Sequence, residues 1–444
     1  MSLSTDTPLH PLRALLSHEL GSMQGRIGDL TQEYRQLWLE TPDDPPEFPV
    51  SFSPERKREL EEQVTELLER AEQERMGDGT DPEQLGEAMK GSSLEMESLC
   101  RRAGLYFDQS FATGFLHATR EFLARVRDFD STLAPENIYQ ALRNLWIANS
   151  LQVLMGLEMA CSAPIFAYSM LYPYSDNLND DPGLSLAGKW TTNDRFRLWL
   201  EGKEAVPVTA AEEKIQALVG MIGNEFFRQD CPGVFQSLLG IFNAQIKSLL
   251  QQKQHQTGAP ADLLAISVEK GGTSVLADGY LIRGSLEEEW ESFCFGYGIF
   301  LQFADDIQDV EDDRTSRHQT LYSLGAGRGV LDRQANRLFH FMRRVIDRHL
   351  SAPEMQRCRE LILRNCIFMV QGAICKHPHL YSPAYLRAIE EHFPLSLPFY
   401  RRVKRQLKAK MLAAGSQWAR PRRADAPAPR KNHKRHQPAP SPIR

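Results

Sequence analysis

The sequence predicts an all-α fold. Two observations carry this: apolar residues recur at helical spacing in long runs, and the Val/Ile/Thr alternations that mark strands are few. ENIYQALRNLWIANSLQVLMGLEMA (136–160) and VFQSLLGIFNAQIKSLLQQK (234–253) are the clearest such runs. At 444 residues the chain is long enough for one large domain or two, with a sizeable buried core.

In chain order, a polar start leads into a helix over about 11–39, and TPDDPPEFPVSFSP (41–54) reads as extended loop. Ser53-Pro54-Glu55 opens the next helix, with a capping hydroxyl and proline at the first helical position. That helix, to about Arg75, is dense in Glu, Lys and Arg and is therefore mostly exposed. MGDGTDPEQLGEAMKGSS (76–93) reads as a polar linker. Residues 1–92 thus form a helical extension and linker, 93–415 the body, and 416–444 a tail. Leu151–Tyr174 has the length of a membrane span, but Gln152, Glu158, Ser162, Pro164 and Ser169 interrupt it. A buried, kinked helix fits it better.

The seven cysteines (100, 161, 231, 294, 358, 366 and 375) show no CxxC pair and scatter through helical stretches. They read as reduced, buried small hydrophobes of an intracellular protein. The start MSLSTDTPLHPL lacks the apolar core of a signal peptide, which points to a cytoplasmic location. The twelve histidines include no HExxH or similar pair, and none is assigned to metal.

The tail SQWARPRRADAPAPRKNHKRHQPAPSPIR has eight Arg/Lys against one Asp and many prolines. It cannot bury a core and reads as disordered. Its +7 leaves −13 on the rest of a chain whose net charge is −6. No aromatic interleaving or nucleic-acid motif accompanies the basic run, so no nucleic-acid partner is expected.

Two acidic clusters carry the chemistry. In FLQFADDIQDVEDDRTSRHQTLY (300–322), Asp305, Asp309 and Asp313 recur every fourth residue. On a helix this puts three carboxylates on one face, about one turn apart, where like charges repel. In AYSMLYPYSDNLNDDPGLS (167–185), Asp176 and Asp180 are again one turn apart, Asp181 follows, and Pro182-Gly183 closes the run. These acids sit at a helix C-terminus, where the dipole already disfavours negative charge. Each cluster follows an apolar stretch. Facing one another, the two sets would hold several Mg²⁺ ions shared with phosphate oxygens, with Mn²⁺ as a substitute.

These residues resemble the class I isoprenoid synthases: trans-prenyltransferases, squalene and phytoene synthases, and ionisation-initiated terpene cyclases. FLQFADDIQD is similar to the second aspartate-rich motif of prenyltransferases, Phe-Gln-x-x-Asp-Asp-x-x-Asp. Asp306-Ile-Gln-Asp309-Val310 and the acids after it resemble the Asp-x-x-Asp-Val-x-Glu-Asp element of squalene synthases. Asp305, Asp309 and Asp313 fall where cyclases place their metal-binding Asn, Ser/Thr and Glu. The first cluster reads Asp-Asn-Leu-Asn-Asp-Asp, a departure from Asp-Asp-x-x-Asp that leaves its ligand set open. The resemblance covers about residues 95–400. It implies a helical bundle around an apolar cavity, with Asp176, Asp180, Asp181, Asp305, Asp306, Asp309 and Asp313 as metal ligands. It also implies a prenyl diphosphate substrate, and a transient membrane contact or a homodimer is compatible with it.

A diphosphate needs cations. Lys270 precedes Gly271-Gly272, which permit a helix break and close backbone approach, and Thr273 and Ser274 offer hydroxyls and N–H groups near a helix start. The prenyltransferases place a Lys-Thr/Ser element about here. Arg314, Arg317 and Tyr322 follow the second cluster, where relatives close over the diphosphate; Arg195 and Arg197 are weaker candidates. Phe166, Tyr168, Tyr172, Phe295, Tyr297, Phe300 and Phe303 lie near the motifs; most are core, and two or three line the cavity.

Three reactions share this machinery: cyclisation or quenching of the cation from one substrate, addition to isopentenyl diphosphate, and head-to-head condensation. The loose first motif disfavours elongation, and the Gly-Arg-x-Tyr-Leu-Pro sequel of head-to-head enzymes is absent. Terpene synthase chemistry is the favoured reading. A helical scaffold that keeps the metal-binding fold without turnover is the non-enzymatic alternative.

Overall fold

The computed structural model describes residues 14–76, 102–103, 109–180, 185–251 and 262–418. Among the described residues the regular structure is helical, with sixteen α-helices and no strand. The first four are α1 (Met23–Leu39), α2 (Pro54–Met76), α3 (Gln109–Phe129) and α4 (Pro135–Leu154). Then come α5 (Ala163–Asp180), α6 (Leu186–Leu200), α7 (Ala210–Glu225), α8 (Pro232–Ser248), α9 (Leu263–Arg283) and α10 (Glu288–Gln308). The short α11 (Val310–Ser316) and α12 (Leu321–Ala326) precede α13 (Asp332–His349), α14 (Gln356–Lys376), α15 (Pro383–Glu391) and α16 (Leu397–Trp418). The expected linker after Met76 and the basic tail beyond Trp418 lie outside the described residues, as does Cys100. The other six cysteines are free thiols.

The antiparallel pair α9 and α10 is the axis of the molecule. Asp262 caps α9 by accepting from Ala265 N–H at 3.1 Å, and Gly284 stops it in the left-handed conformation at φ 75°. Between them fourteen of the 21 residues of α9 are buried, because α8, α10, α1, α4 and α5 all pack on it. On its far side α10 meets α13 and α14, and α16 closes the circuit between α14 and α4.

Gly271-Gly272 does not break α9. A Cβ on Gly271 would sit 2.6 Å from the Gln302 Cβ and 2.7 Å from the Gly298 carbonyl oxygen, so these glycines let two helix backbones touch. Thr273 and Ser274 are consequently mid-helix, with Thr273 Oγ1 donating back to Glu269 O at 2.7 Å. Their N–H groups are not a helix-terminal anion site.

The single kinked helix expected over Leu151–Tyr174 is two helices. Gly156 takes φ 71°, and Leu157 N–H returns to Gln152 O at 2.8 Å, a C-terminal stop. The buried Gln152 side chain then fixes the turn by accepting from Ala160 N–H at 3.0 Å, and Pro164 lies in the first turn of α5. Among the described residues no helix is long and apolar enough to cross a membrane.

The first described helix is part of the same core as the body. Tyr34 and Trp38 of α1 are buried, with Trp38 4.4 Å from Phe303 and 5.4 Å from Phe341, ring centre to ring centre. Buried aromatic pairs of this kind add about 0.5–1.5 kcal/mol beyond area burial. The loop after α1 is clamped by the basic face of α13: Arg333 and Arg337 hold the Asp43 carboxylate at 3.0 and 3.1 Å, and Arg343 donates to Glu47 O at 2.8 Å.

Candidate functional site

The acid stripe begins on the last turn of α10. Helix α10 ends at Gln308 and α11 starts at Val310, with Asp309 between them at φ −106°. The i,i+4 ladder nevertheless continues through the joint. Asp309 N–H donates to Asp305 O at 2.9 Å, and Asp313 N–H donates to Asp309 O at 2.8 Å. Asp305, Asp309 and Asp313 therefore stay stacked along one side. Burial, then the charge of Asp305, raises the Asp309 pKa despite nearby Lys376. Burial, then Asp309 and Asp305, pushes Asp313 up to about 7. Burial and mutual repulsion both disfavour the charged forms of Asp309 and Asp313.

Asp306 points the other way. It is 5% exposed, accepts from Gln302 Nε2 at 2.8 Å through Oδ1, and leaves Oδ2 without a hydrogen-bond partner. Burial pushes its pKa up to about 8, which favours the protonated acid. Beyond it Tyr322 is fully buried with an unpartnered hydroxyl, its ring edge-on to Phe303 at 6.1 Å. Tyr322 thus belongs to the interior beneath the stripe.

Lys270, one turn ahead of Ser274 on α9, lies close enough to lower the Asp306 and Asp313 pKa values electrostatically. It also adds to burial in pushing His318 down to about 4. Arg314 pairs with Glu311 at 3.1 Å on its own helix. Arg317 is exposed and ends α11 in the left-handed region at φ 61°. Arg195 binds the fully buried Glu212, and Arg197 binds Asp194 and Glu201 at 2.6 and 2.8 Å; both hold α6 in place.

The cations that do reach the stripe come from helices remote in sequence. Arg143 on α4 contacts Asp305 Oδ1 at 2.5 Å. Lys376 at the end of α14 contacts Asp309 Oδ1 at 3.1 Å and Asp312 Oδ2 at 3.4 Å. Lys404 on α16 donates to Gln308 Oε1 at 3.1 Å, and burial, then Lys376, lowers its pKa. Sequence reasoning missed all three. Each is a lone basic residue on a helix, and no spacing links it to the acids.

Helix α5 carries the first cluster. Tyr168 Oη donates to Ser274 O at 3.0 Å, Tyr172 Oη meets Ser274 Oγ at 2.5 Å, and Asn144 Nδ2 bridges Ser169 Oγ and Asp278 Oδ1, both at 3.1 Å. Rising numbers on α5 match falling numbers on α9, so the helices run antiparallel. Asp176, one turn past Tyr172, is on the segment heading toward the Lys270 end of α9. Since α10 is also antiparallel to α9, the last turns of α5 and α10 share that end of the bundle. The side chains of Asp176 and Asp180, and all of Asp181, lie outside the described residues.

A narrow apolar cleft between α5, α6 and α8, lined by Tyr168, Leu171, Tyr172, Phe196, Leu238 and Phe242, runs beside this segment. Phe295, Phe300 and Phe303 are fully buried, in core packing. Among the described residues no three His, Cys, Asp or Glu side chains converge closely enough to hold one ion. Mg²⁺ shared with phosphate needs only one or two carboxylates from the protein. Hard, mutually repelling carboxylate oxygens suit such an ion. No protein-family model, curated protein or solved structure matches this chain.

Proposed function

We propose that this protein is a Mg²⁺-dependent class I terpene synthase, with the helical bundle of that superfamily. It ionises a prenyl diphosphate, releases diphosphate, and cyclises or quenches the cation. The observation that carries this reading is the stacked stripe of Asp305, Asp309 and Asp313, whose like charges repel, set at the end of the bundle to which the last turn of α5 also runs. Asp305, Asp309 and Asp313, together with Asp176, Asp180 and Asp181 of the first cluster, are the residues that would hold the metal. Asp306 supports the stripe from beneath.

Bound Mg²⁺ would neutralise the diphosphate and make it a better leaving group. The chain's own residues supply the rest. Lys270 places a positive charge at the same end, and Arg314 and Arg317 flank the stripe on its solvent side. The apolar cleft beside α5, with Tyr168, Tyr172, Phe196 and Phe242 in its lining, would keep water from the cation, and its aromatic faces would stabilise it as they do ammonium groups.

The test is incubation of purified protein with Mg²⁺ and prenyl diphosphates of increasing length, reading pyrophosphate release and the organic extract. Cyclic or alcohol products from a single substrate support the reading. A head-to-head or elongated product moves the protein to a neighbouring reaction. Metal binding without turnover leaves the scaffold alternative. Asp309→Asn and Asp176→Asn should each abolish turnover while helical content stays intact.

A further inference from the structure

We propose that Arg143 and Lys376 are exchangeable counter-ions of the acid stripe. They hold Asp305 and Asp309 when no divalent ion is present, and pass to the diphosphate oxygens when the metal takes the carboxylates. This rests on the reading above and adds a switching role for two residues that no motif singles out.

Arg143 occupies Asp305 Oδ1, and Lys376 occupies Asp309 Oδ1. A metal that takes those same oxygens, or both oxygens of either carboxylate, must compete with these cations. Both pairs are partly exposed, with side-chain exposures of 45% and 35% for the first and 33% and 37% for the second. Such pairs are weak and readily exchanged. The two cations also reach α10 from different helices, α4 and α14, so releasing them frees charge at two points around the stripe. Lys404 lies beside Lys376 and already has its ammonium form disfavoured by burial and by that neighbour. Once the metal takes Asp305 and Asp309, Arg143 loses its carboxylate and Lys376 keeps only the exposed Asp312, so three cations crowd one rim. A diphosphate, with oxygens for both metal and guanidinium, satisfies that rim.

Two titrations and one labelling experiment test the exchange, using full-length protein, Mn²⁺ or Mg²⁺, and inorganic pyrophosphate. Without pyrophosphate, Arg143→Gln and Lys376→Gln should bind the metal about 2- to 5-fold more tightly than wild type, the strength of an exposed ion pair. With saturating Mg²⁺, both should bind pyrophosphate about 10-fold more weakly, as loss of a charge-assisted hydrogen bond implies. In the wild type, where no substitution can disturb folding, Mg²⁺ alone should raise acetylation of the Lys376 ε-amine. Added pyrophosphate should suppress it again. Unchanged metal affinity in both variants, or Lys376 labelling indifferent to Mg²⁺, overturns the exchange. If Asp309→Asn binds Mn²⁺ as wild type does, the metal-site reading itself fails instead.

Discussion

Replacing Asp306 by Asn removes a single proton-binding group from the interior, and the structure sets both the sign and the size of the effect. Asp306 has a pKa of about 8 in the folded protein against 3.8 for the free side chain. Burial of the carboxylate is the main cause, and Asp313 and Asp305 add to it. Between these two values the folded state holds a proton that the unfolded state has lost. Stability from this group is therefore complete below pH 3.8 and declines as pH rises through about 8. At 1.36 kcal/mol per pH unit, wild type at pH 7 gives up about 4 kcal/mol relative to acid conditions, and at pH 5 about 2 kcal/mol. An Asn side chain keeps an acceptor for Gln302 Nε2 and has no charge to suppress. In metal-free buffer, urea unfolding should show Asp306→Asn more stable than wild type, with a margin that shrinks from pH 7 to pH 5 and vanishes near pH 4. Equal midpoints for the two proteins across this range would refute the picture of Asp306 as an enclosed, neutral acid. The variant should also keep its affinity for Mg²⁺, whereas Asp309→Asn should lose it.

Two further outcomes test the frame around the site. Gly271→Ala should destabilise the protein by about 1–3 kcal/mol in chemical denaturation through overpacking against the Gly298 carbonyl, less up to about 1 kcal/mol of helix propensity gained; a stabilised variant would mean the α9–α10 backbones do not touch. Arg195→Ala strands the buried Glu212 charge and should cost about 3–5 kcal/mol, read as a lower thermal midpoint, with no change in metal affinity; an unchanged midpoint would contradict the structural role.

The acid stripe was legible because its chemistry and its period lie in one continuous segment. A four-residue repeat of Asp needs only a helix to become a face, and the ladder through Asp309 preserves that face although α10 ends at Gln308. The all-helical class was legible for the same reason, since periodicity is local. Glycine was harder. Gly271-Gly272 after Lys270 reads equally well as a loop near a ligand or as a helix crossing, and only the partner backbone at Gly298 decides. Gly156 inside an apolar run likewise hid a helix stop that the Gln152 side chain then secures. The neighbours Arg143, Lys376 and Lys404 were illegible in principle. Their roles come from α4, α14 and α16 meeting around one end of α10, a contact set with no sequence period. The burial of Tyr322 was equally hidden: the capped turn at Thr320 and Ser323 folds it into the core, and nothing in its place in the chain signals that.

The proposed function requires carboxylates from α5 and α10 to share divalent ions at one end of the bundle. Crystals grown with Mn²⁺ and inorganic pyrophosphate test it most directly through the anomalous signal of manganese. Peaks are expected between the last turns of α5 and α10, within bonding distance of Asp176 or Asp180 on one side and Asp305 or Asp309 on the other, bridged by pyrophosphate. Manganese confined to one of the two helices, or ordered pyrophosphate with no metal at the stripe, would contradict it.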